Sequence, residues 1–451
     1  MNNITFKLPV TILATATAAT QMVGCAKAPE AKQPNIVMLF VDDMGWTDMG
    51  YRTDIYHTPN MDKLAAEGID YTRAYVPTAT SSPSRAALLT GKESLRCGFV
   101  RHIYDNPNRD EFQSFEKDPG NMLSRGWLPL EEITYAERLH EAGYYNYFVG
   151  KWHLGHEPYY PIYQGFDAMY GTCEHGHPKS YYQPFFVSEN PFPEAAKDEY
   201  LTDLISEGAE NFIKDYDGDK PFLLNVWYYG VHGPHVANKA LLQKYLDAGL
   251  EKSLAVYASM LESIDNSVGA IRAALEEKGI ADNTIIVFTS DQGGAFTNGH
   301  LSGGKMHNTL GEGGSRVPFL VYAPNSPALG SKYNKPMQTI DIFPTFVELA
   351  TGATCADTQI QGVSLVPTFK GEELADRDLF MHRSYEDQNS AIIDGDWKLV
   401  KYRSGMLELF NIAEDESETT NLAESKPELT QEMLNRLNRW QEEATPKYLL
   451  Q

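Results

Sequence analysis

Cysteine is scarce in this chain: four residues in 451. Cys25 lies near the N-terminus; Cys97, Cys173 and Cys355 are odd in number and widely spaced. They show no metal-site spacing and allow at most one disulfide, so neither a disulfide framework nor a cysteine metal centre carries the fold. Basic residues are also few, 38 Lys and Arg against 61 Asp and Glu, a net charge of −23. That deficit argues against nucleic acid or an anionic lipid face as partner. No internal repeat and no low-complexity tract interrupts the chain, and beyond its first residues it has no apolar run long enough to span a membrane. What is present is the composition of a soluble globular protein, 42% hydrophobic and 22% charged, in a chain longer than one ordinary domain.

The first 24 residues form a separate segment. They hold one charge, Lys7, followed by an uncharged Ala- and Thr-rich stretch from Leu8 to Val23. This is too short and too polar for a spanning helix and reads as a cleaved export signal. Losing residues 1–24 removes Lys7 and takes the net charge from −23 to −24. The segment ends Met22-Val23-Gly24-Cys25, which resembles a bacterial lipoprotein box, although Leu is more usual where Met22 stands. The expectation is a lipid anchor on Cys25, with residues 25–33 as a tether; the alternative is a free thiol after ordinary cleavage. The chain is then exported, to the periplasm or the outer membrane of a bacterium, and meets membrane only through that anchor.

From Pro34 strand and helix signals alternate, the pattern of an α/β domain with a large, mostly parallel central sheet flanked by helices. Asn35 to Val41 is a continuous apolar run, as a strand buried on both faces requires; Tyr145 to Val149, Phe222 to Tyr229 and Thr284 to Thr289 read alike. Within Ser253 to Lys278, Leu254, Tyr257, Leu261, Ile264, Val268, Ile271 and Leu275 form one helical stripe, stopped by Gly279. A helix near Phe343 to Ala350, ended by Gly352, closes a main domain over 34–370. Residues 371–451 read as a smaller α+β subdomain, with strands Ala391 to Ile393 and Trp397 to Tyr402 and a last helix about Pro427 to Glu442.

Open parallel sheets bind ligands outside the carboxyl ends of their strands, and four strands here run into polar groups. They deliver Asp42-Asp43, Gly150-Lys151-Trp152-His153, Gly230-Val231-His232 and Ser290-Asp291-Gln292-Gly293. Asp42, Asp43, Asp291 and the Gln292 carbonyl make an oxygen-only set, which suits Ca2+ or Mg2+ where Zn2+ would call for imidazole or thiolate. Taken singly, these are a loop capping a helix and a Gly-rich turn. Arg85, Lys151, His153, His232 and Lys305 make a cationic set, an arrangement that sulfuryl or phosphoryl transfer needs as charge moves onto the leaving group. Two further segments look like substrate walls: Arg101-His102, and His175-Gly176-His177 beside Tyr181, Tyr182, Phe185 and Phe186. They would suit a polyanionic carbohydrate; the bland alternative for His175 and His177 is a surface loop over an aromatic core.

The run Ser81-Ser82-Pro83-Ser84-Arg85-Ala86-Ala87-Leu88-Leu89-Thr90-Gly91 reads as a helix capped by Ser81 or Ser82, with Ala86 to Leu89 as its apolar body. It also resembles the signature of the formylglycine-dependent sulfatases, a serine-type bacterial member of that family within the alkaline phosphatase superfamily, and the likeness extends from about Asn35 into the C-terminal subdomain. The resemblance implies that a serine-oxidising maturation enzyme converts Ser81 to formylglycine. It implies one calcium ion on Asp42, Asp43, Asp291, Gln292 and the modified residue 81. Arg85 would steady the aldehyde hydrate, His153 would assist it, and Lys151, His232 and Lys305 would hold the sulfate, with His232 or Lys305 serving the departing oxygen. Gln292 is a departure, since Asn is the commoner family residue there. The implied reaction is hydrolysis of a sulfate ester on a sulfated polysaccharide or oligosaccharide, algal (ulvan, carrageenan) or glycosaminoglycan. Two alternatives stay open: a phosphatase or phosphodiesterase attacking with unmodified Ser81, and an inactive carbohydrate-binding homologue.

Overall fold

Alternation along one strand explains the layers of the molecule. The computed structural model describes residues 32–104, 108–114, 122–296, 298–383 and 387–450; the leader, Cys25 and most of the tether lie outside the described residues. The strands of the main sheet are Asn35–Val41 (β1), Ile69–Tyr71 (β2), Tyr145–Gly150 (β3), Ala168–Tyr170 (β4), Phe222–Trp227 (β5), Thr284–Ser290 (β6), Phe319–Tyr322 (β7) and Ser331–Tyr333 (β8). Their order is β8-β2-β7-β6-β1-β5-β3-β4. β6, β1, β5, β3 and β4 run parallel, and β7 is antiparallel to both its neighbours.

All seven residues of β1 are buried. Val37, Leu39 and Val41 face a core built largely from helices Pro59–Glu67 (α1), Leu201–Asp215 (α4) and Lys252–Glu277 (α5). Ile36, Met38 and Phe40 face a second core against Ser81–Thr90 (α2), Tyr135–Glu141 (α3) and Ile342–Thr351 (α6). A strand sandwiched in this way has no polar face, which is why its sequence is a run rather than an alternation. The helices end as the glycines predict: α6 stops at Gly352 with φ 71°, whose N–H donates to the Glu348 carbonyl.

The expected cap of α2 is not what forms. Thr80 occupies the N-cap position, without a side-chain cap bond, and Ser81 and Ser82 lie inside the first turn. Both hydroxyls are engaged elsewhere: Ser81 Oγ donates to Asp42 Oδ1 at 3.2 Å, and Ser82 Oγ accepts the Ile103 N–H at 3.0 Å. At the C-terminus the two expected strands belong to a four-stranded antiparallel sheet, Asp378–His382 (β9), Gln388–Asp394 (β10), Trp397–Tyr402 (β11) and Leu407–Asn411 (β12), in that order. Helix Pro427–Ala444 (α7) packs Met433, Leu437 and Trp440 against Ile392, Leu399 and Leu409 of this sheet. Among the described residues no helix is long and apolar enough to cross a membrane.

Candidate active site

The carboxyl ends of β1 and β6 meet, and their first polar residues are locked together. The Asp42 N–H donates to the Gly230 carbonyl at 2.9 Å, and the Asp43 N–H donates to Asp291 Oδ1 at 3.1 Å. Asp43 itself has φ 63°, a conformation costly for a residue with a Cβ and held only where surroundings demand it. One carboxylate oxygen each from Asp42, Asp43 and Asp291 lies within 4.8 Å of the others, and all three residues are buried. Gln292 joins them, its amide 2.6 Å from Asp43 Oδ1 and 3.4 Å from Ser81 Oγ. Residue 81 thus faces the three carboxylates from the first turn of α2, with Gln292 Nε2 turned toward both Asp43 and Ser81. Arg85, one turn further on and wholly buried, donates from Nη2 to Asp291 Oδ2 at 2.9 Å and lies 3.7 Å from Asp42 Oδ1. Its guanidinium also rests 5.0 Å from the Phe40 ring centroid and 5.2 Å from that of Trp227.

Two lysines cover the same carboxylates. Lys151, after β3, pairs with Asp42 Oδ2, and Lys305, from the long loop after β6, pairs with Asp43 Oδ2. Burial pushes the Asp42 and Asp43 carboxyls up, but Lys151 beside Asp42 and Lys305 beside Asp43, helped by His232, override it and hold both below the usual range. Asp291 goes the other way: burial and then the Asp42 charge raise it, and Arg85 does not compensate. Three cations, Arg85, Lys151 and Lys305, thus face three buried carboxylates. Buried oxygen donors fit a hard divalent cation such as calcium on Asp42, Asp43 and Asp291, with the Gln292 carbonyl able to join them once its amide turns over.

Two imidazoles are fixed by their backbone partners. His232 Nδ1 lies 2.6 Å from the Gly233 carbonyl, which can only accept, so Nδ1 carries the proton; its Nε2 is 3.8 Å from Asp43 Oδ2. His153, with φ 55°, places Nε2 2.9 Å from the Ile103 carbonyl, while its buried Nδ1 meets no hydrogen-bond partner among the described residues. Burial, reinforced by Lys151, holds its pKa well below the ordinary histidine value, so the ring is neutral with Nδ1 a free acceptor.

Above the cluster opens a cavity of about 340 Å³, lined by Ser81, His153, His232, Gln292 and Lys305 together with Thr80, His102, Tyr104, His177, Met306 and Arg383. The structure thus brings all the predicted oxygen ligands and cationic groups to one place, with Asp42, Asp43, Asp291, Arg85 and Lys151 beneath the pocket floor. Of the expected wall residues it brings His102, whose ring packs 4.2 Å from that of Tyr104, and His177, stacked on His232 at 5.4 Å. It does not bring Arg101 or His175. Arg101 is buried and donates to the Met122 carbonyl at 3.2 Å; His175 stacks on Phe186 and lies 2.9 Å from Ser188 Oγ. Tyr181, Phe185 and Phe186 belong to the core, and the Tyr181 hydroxyl braces the His232 carbonyl from behind at 2.7 Å. Arg383 was invisible to sequence reasoning, because no local motif marks it and more than three hundred positions separate it from Ser81.

Comparison with known proteins gives consistent findings. A family model described as "Sulfatase" matches residues 34–353, and one described as "N-sulphoglucosamine sulphohydrolase, C-terminal" matches residues 308–443. N-acetylgalactosamine-6-sulfatase of Canis lupus familiaris is 33% identical over 83% of this chain and 72% of its own. Arylsulfatase A of Homo sapiens is 30% identical over 79% of this chain and 72% of its own. Among solved structures, Ps i-CgsB in complex with k-i-k-neocarrahexaose superposes with a TM-score of 0.80 at 29% identity, covering 92% of this chain and 94% of that one.

Proposed function

The chain belongs to the sulfatase family and is a sulfuric ester hydrolase, and from that premise we propose that it removes sulfate from a sulfated polysaccharide or oligosaccharide using a formylglycine made from Ser81. The observation that carries this reading is the placing of residue 81: buried in the first turn of α2, with Oγ 3.2 Å from Asp42 Oδ1, at the floor of a cationic pocket. The carbohydrate class is supported by the relative named for N-acetylgalactosamine 6-sulfate and by the neighbour bound to a carrageenan oligosaccharide. Carrageenan, ulvan and glycosaminoglycan fragments are the candidate substrates.

Asp42, Asp43, Asp291 and Gln292 hold the calcium ion in this reading, and that ion, when bound, withdraws charge from the oxygens of the sulfate. The formylglycine hydrate supplies a nucleophilic hydroxyl that serine, with one hydroxyl, cannot regenerate after transfer. The chain's own groups do the rest. Lys151, His232 and Lys305 take the sulfate oxygens, and Arg85 holds position 81 against the cluster. His153 accepts a proton at its neutral Nδ1. His232 Nε2 or the Lys305 ammonium meets the sugar oxygen as charge develops on it. The main domain over 34–370 carries this machinery, and the subdomain over 371–451 closes it. Export, with an anchor on Cys25, and maturation by a serine-oxidising enzyme complete the proposal.

The test is the mass of the tryptic peptide spanning residues 74–85, isolated from enzyme matured in its host. Oxidation of Ser81 removes two hydrogens, about 2 Da. The expected result is that shift, with sulfate-ester hydrolysis abolished in Ser81→Ala. An unshifted mass in active enzyme, or activity persisting in Ser81→Ala, overturns the formylglycine reading. Phosphate-ester hydrolysis by unmodified protein identifies direct attack by Ser81 instead.

A further inference from the structure

The pocket has cations at two places, and the proposed chemistry uses only one. Lys305 and His232 stand over Asp43. Arg383, the residue after β9 in the C-terminal sheet, enters the pocket from another direction. Its Nη1 donates to the Ala79 carbonyl and to Thr80 Oγ1, the two residues preceding Ser81, and its backbone is pinned by a 2.9 Å bond from its N–H to the Asn389 carbonyl. His102 lies beside it. Burial first, and then the charges of Arg383 and Lys305, press the His102 pKa down to about 3. The ring is therefore neutral and can offer an N–H, packed against Tyr104 at 4.2 Å. Among the described residues no carboxylate lines this cavity, although the chain as a whole carries −23. Lys305 and Arg383 both line the pocket and can meet anionic substituents, and a volume of about 340 Å³ holds a sugar ring with its substituents.

We propose that Arg383, with His102 beside it, receives a second anionic group of the substrate, a further sulfate or a uronate carboxylate on the same or the adjoining sugar, while the scissile sulfate lies on Lys151, His232 and Lys305. A guanidinium whose orientation is fixed by the Ala79 carbonyl and the Thr80 hydroxyl can meet either oxyanion with a charge-assisted bond. The substrate class narrows accordingly to doubly anionic carbohydrate. This rests on the sulfatase reading, from which it is separable by experiment.

The experiment measures kcat and KM of the matured enzyme and of Arg383→Gln and Arg383→Lys. The probes are three labelled sugars: a monosulfated neutral sugar, a disulfated disaccharide of carrageenan type, and a monosulfated uronate-containing disaccharide of chondroitin type. A lost charge-assisted bond is worth about ten- to a hundredfold. Arg383→Gln is expected to lose about that much more kcat/KM on one of the doubly anionic sugars than on the neutral one. The loss falls mainly on KM, and Arg383→Lys recovers part of it. Whichever sugar responds identifies sulfate or carboxylate. An equal loss on all three, carried by kcat, makes Arg383 only a brace for residues 79–80 and overturns the proposal. If Arg383→Gln does not fold, the unsubstituted enzyme decides: a preference for a doubly anionic sugar that weakens as salt is raised supports the proposal, and no preference overturns it. Absence of any sulfate release by the unsubstituted enzyme would instead sink the sulfatase reading.

Discussion

Asp48 shows how close the fold runs to a charge it cannot solvate. The residue is 1% exposed and lies behind the Asp42-Asp43 turn. Its Oδ2 accepts the Gly45 N–H at 2.7 Å and the Tyr257 hydroxyl at 2.6 Å, while Oδ1 has no partner among the described residues. Burial pushes its pKa up to about 7 against the pull of those two bonds. The unfolded value is near 3.9, so the native state binds this proton more tightly. The stability it contributes is full below about pH 4, falls as pH rises, and is gone above about pH 7. Asn is neutral at every pH and keeps a carbonyl acceptor for Gly45 and Tyr257. Asp48→Asn is therefore expected to melt above the unsubstituted protein at about pH 8, with the advantage shrinking by about pH 5. Thermal melts across that range check this; a gap that does not change with pH refutes the assignment.

At the scale of elements, legibility followed burial. β1, β3, β5 and β6 are sandwiched between helix layers, so each is written as an apolar run, and the break to Asp42, Lys151, His232 or Asp291 marks where it leaves the core. That is why Asp42, Asp43, Lys151, His153, His232, Asp291 and Gln292 are legible in the sequence, whereas Arg85 is marked by the 81–91 run and Lys305 sits in a Gly-rich loop. What the pattern could not carry is direction after the break. Asp43 and His153 turn through positive φ, Arg101 folds inward to Met122, and the hydroxyls of Ser81 and Ser82 leave the helix end for tertiary partners. β9 and β12 were missed because each is five residues long and mixed in character. One glycine ties these loops together. The Gly293 N–H donates to the Gly314 carbonyl at 2.9 Å, and a Cβ built on Gly293 would sit 1.9 Å from the Gly313 carbonyl oxygen. Backbone cannot yield as a side-chain tip does, so Gly293→Ala must part the 291–294 turn from 311–314 and shift Asp291 and Gln292. The expected cost is about 1–3 kcal/mol, with a smaller gain in denaturation midpoint on adding calcium than the unsubstituted protein shows. A full calcium response in Gly293→Ala would separate this contact from the ligand geometry.

For the molecule as a whole, the question is what the C-terminal sheet does for a site built mainly from the α/β domain. It supplies Arg383, and it also grips the loop that carries Lys305. Lys398 on β11 is wholly buried, with Nζ 2.9 Å from Glu312 Oε1 and 2.8 Å from Glu418 Oε1. Glu418 in turn accepts the Ser302 hydroxyl and the Glu312 N–H, the latter at 2.8 Å, and Glu416 lies 2.9 Å from His300 Nε2. Residues 300, 302 and 312, flanking Lys305, are thereby held by a single turn of the subdomain. Burial works against the Lys398 charge, but Glu312 and Glu418 override it and hold its pKa above the ordinary value. Removing that ammonium leaves two carboxylates buried together, which costs about 3–5 kcal/mol. Lys398→Met should accordingly lower the denaturation midpoint by that order and open the 298–312 loop to proteolysis. Lys398→Met combined with Glu418→Gln should recover part of the stability, because Glu418 is then neutral and Glu312 keeps Arg316 at 3.5 Å. Both are read by denaturant titration and limited digestion. If Lys398→Met costs no more than an exposed lysine does, the buried pair is not what couples the subdomain to the loop. The closing of the pocket by Lys305 would then rest on contacts within the main domain, among them the Lys305–Asp43 pair and the backbone bonds from Lys305 N–H to the Gly294 carbonyl and from Gly313 N–H to the Ser302 carbonyl.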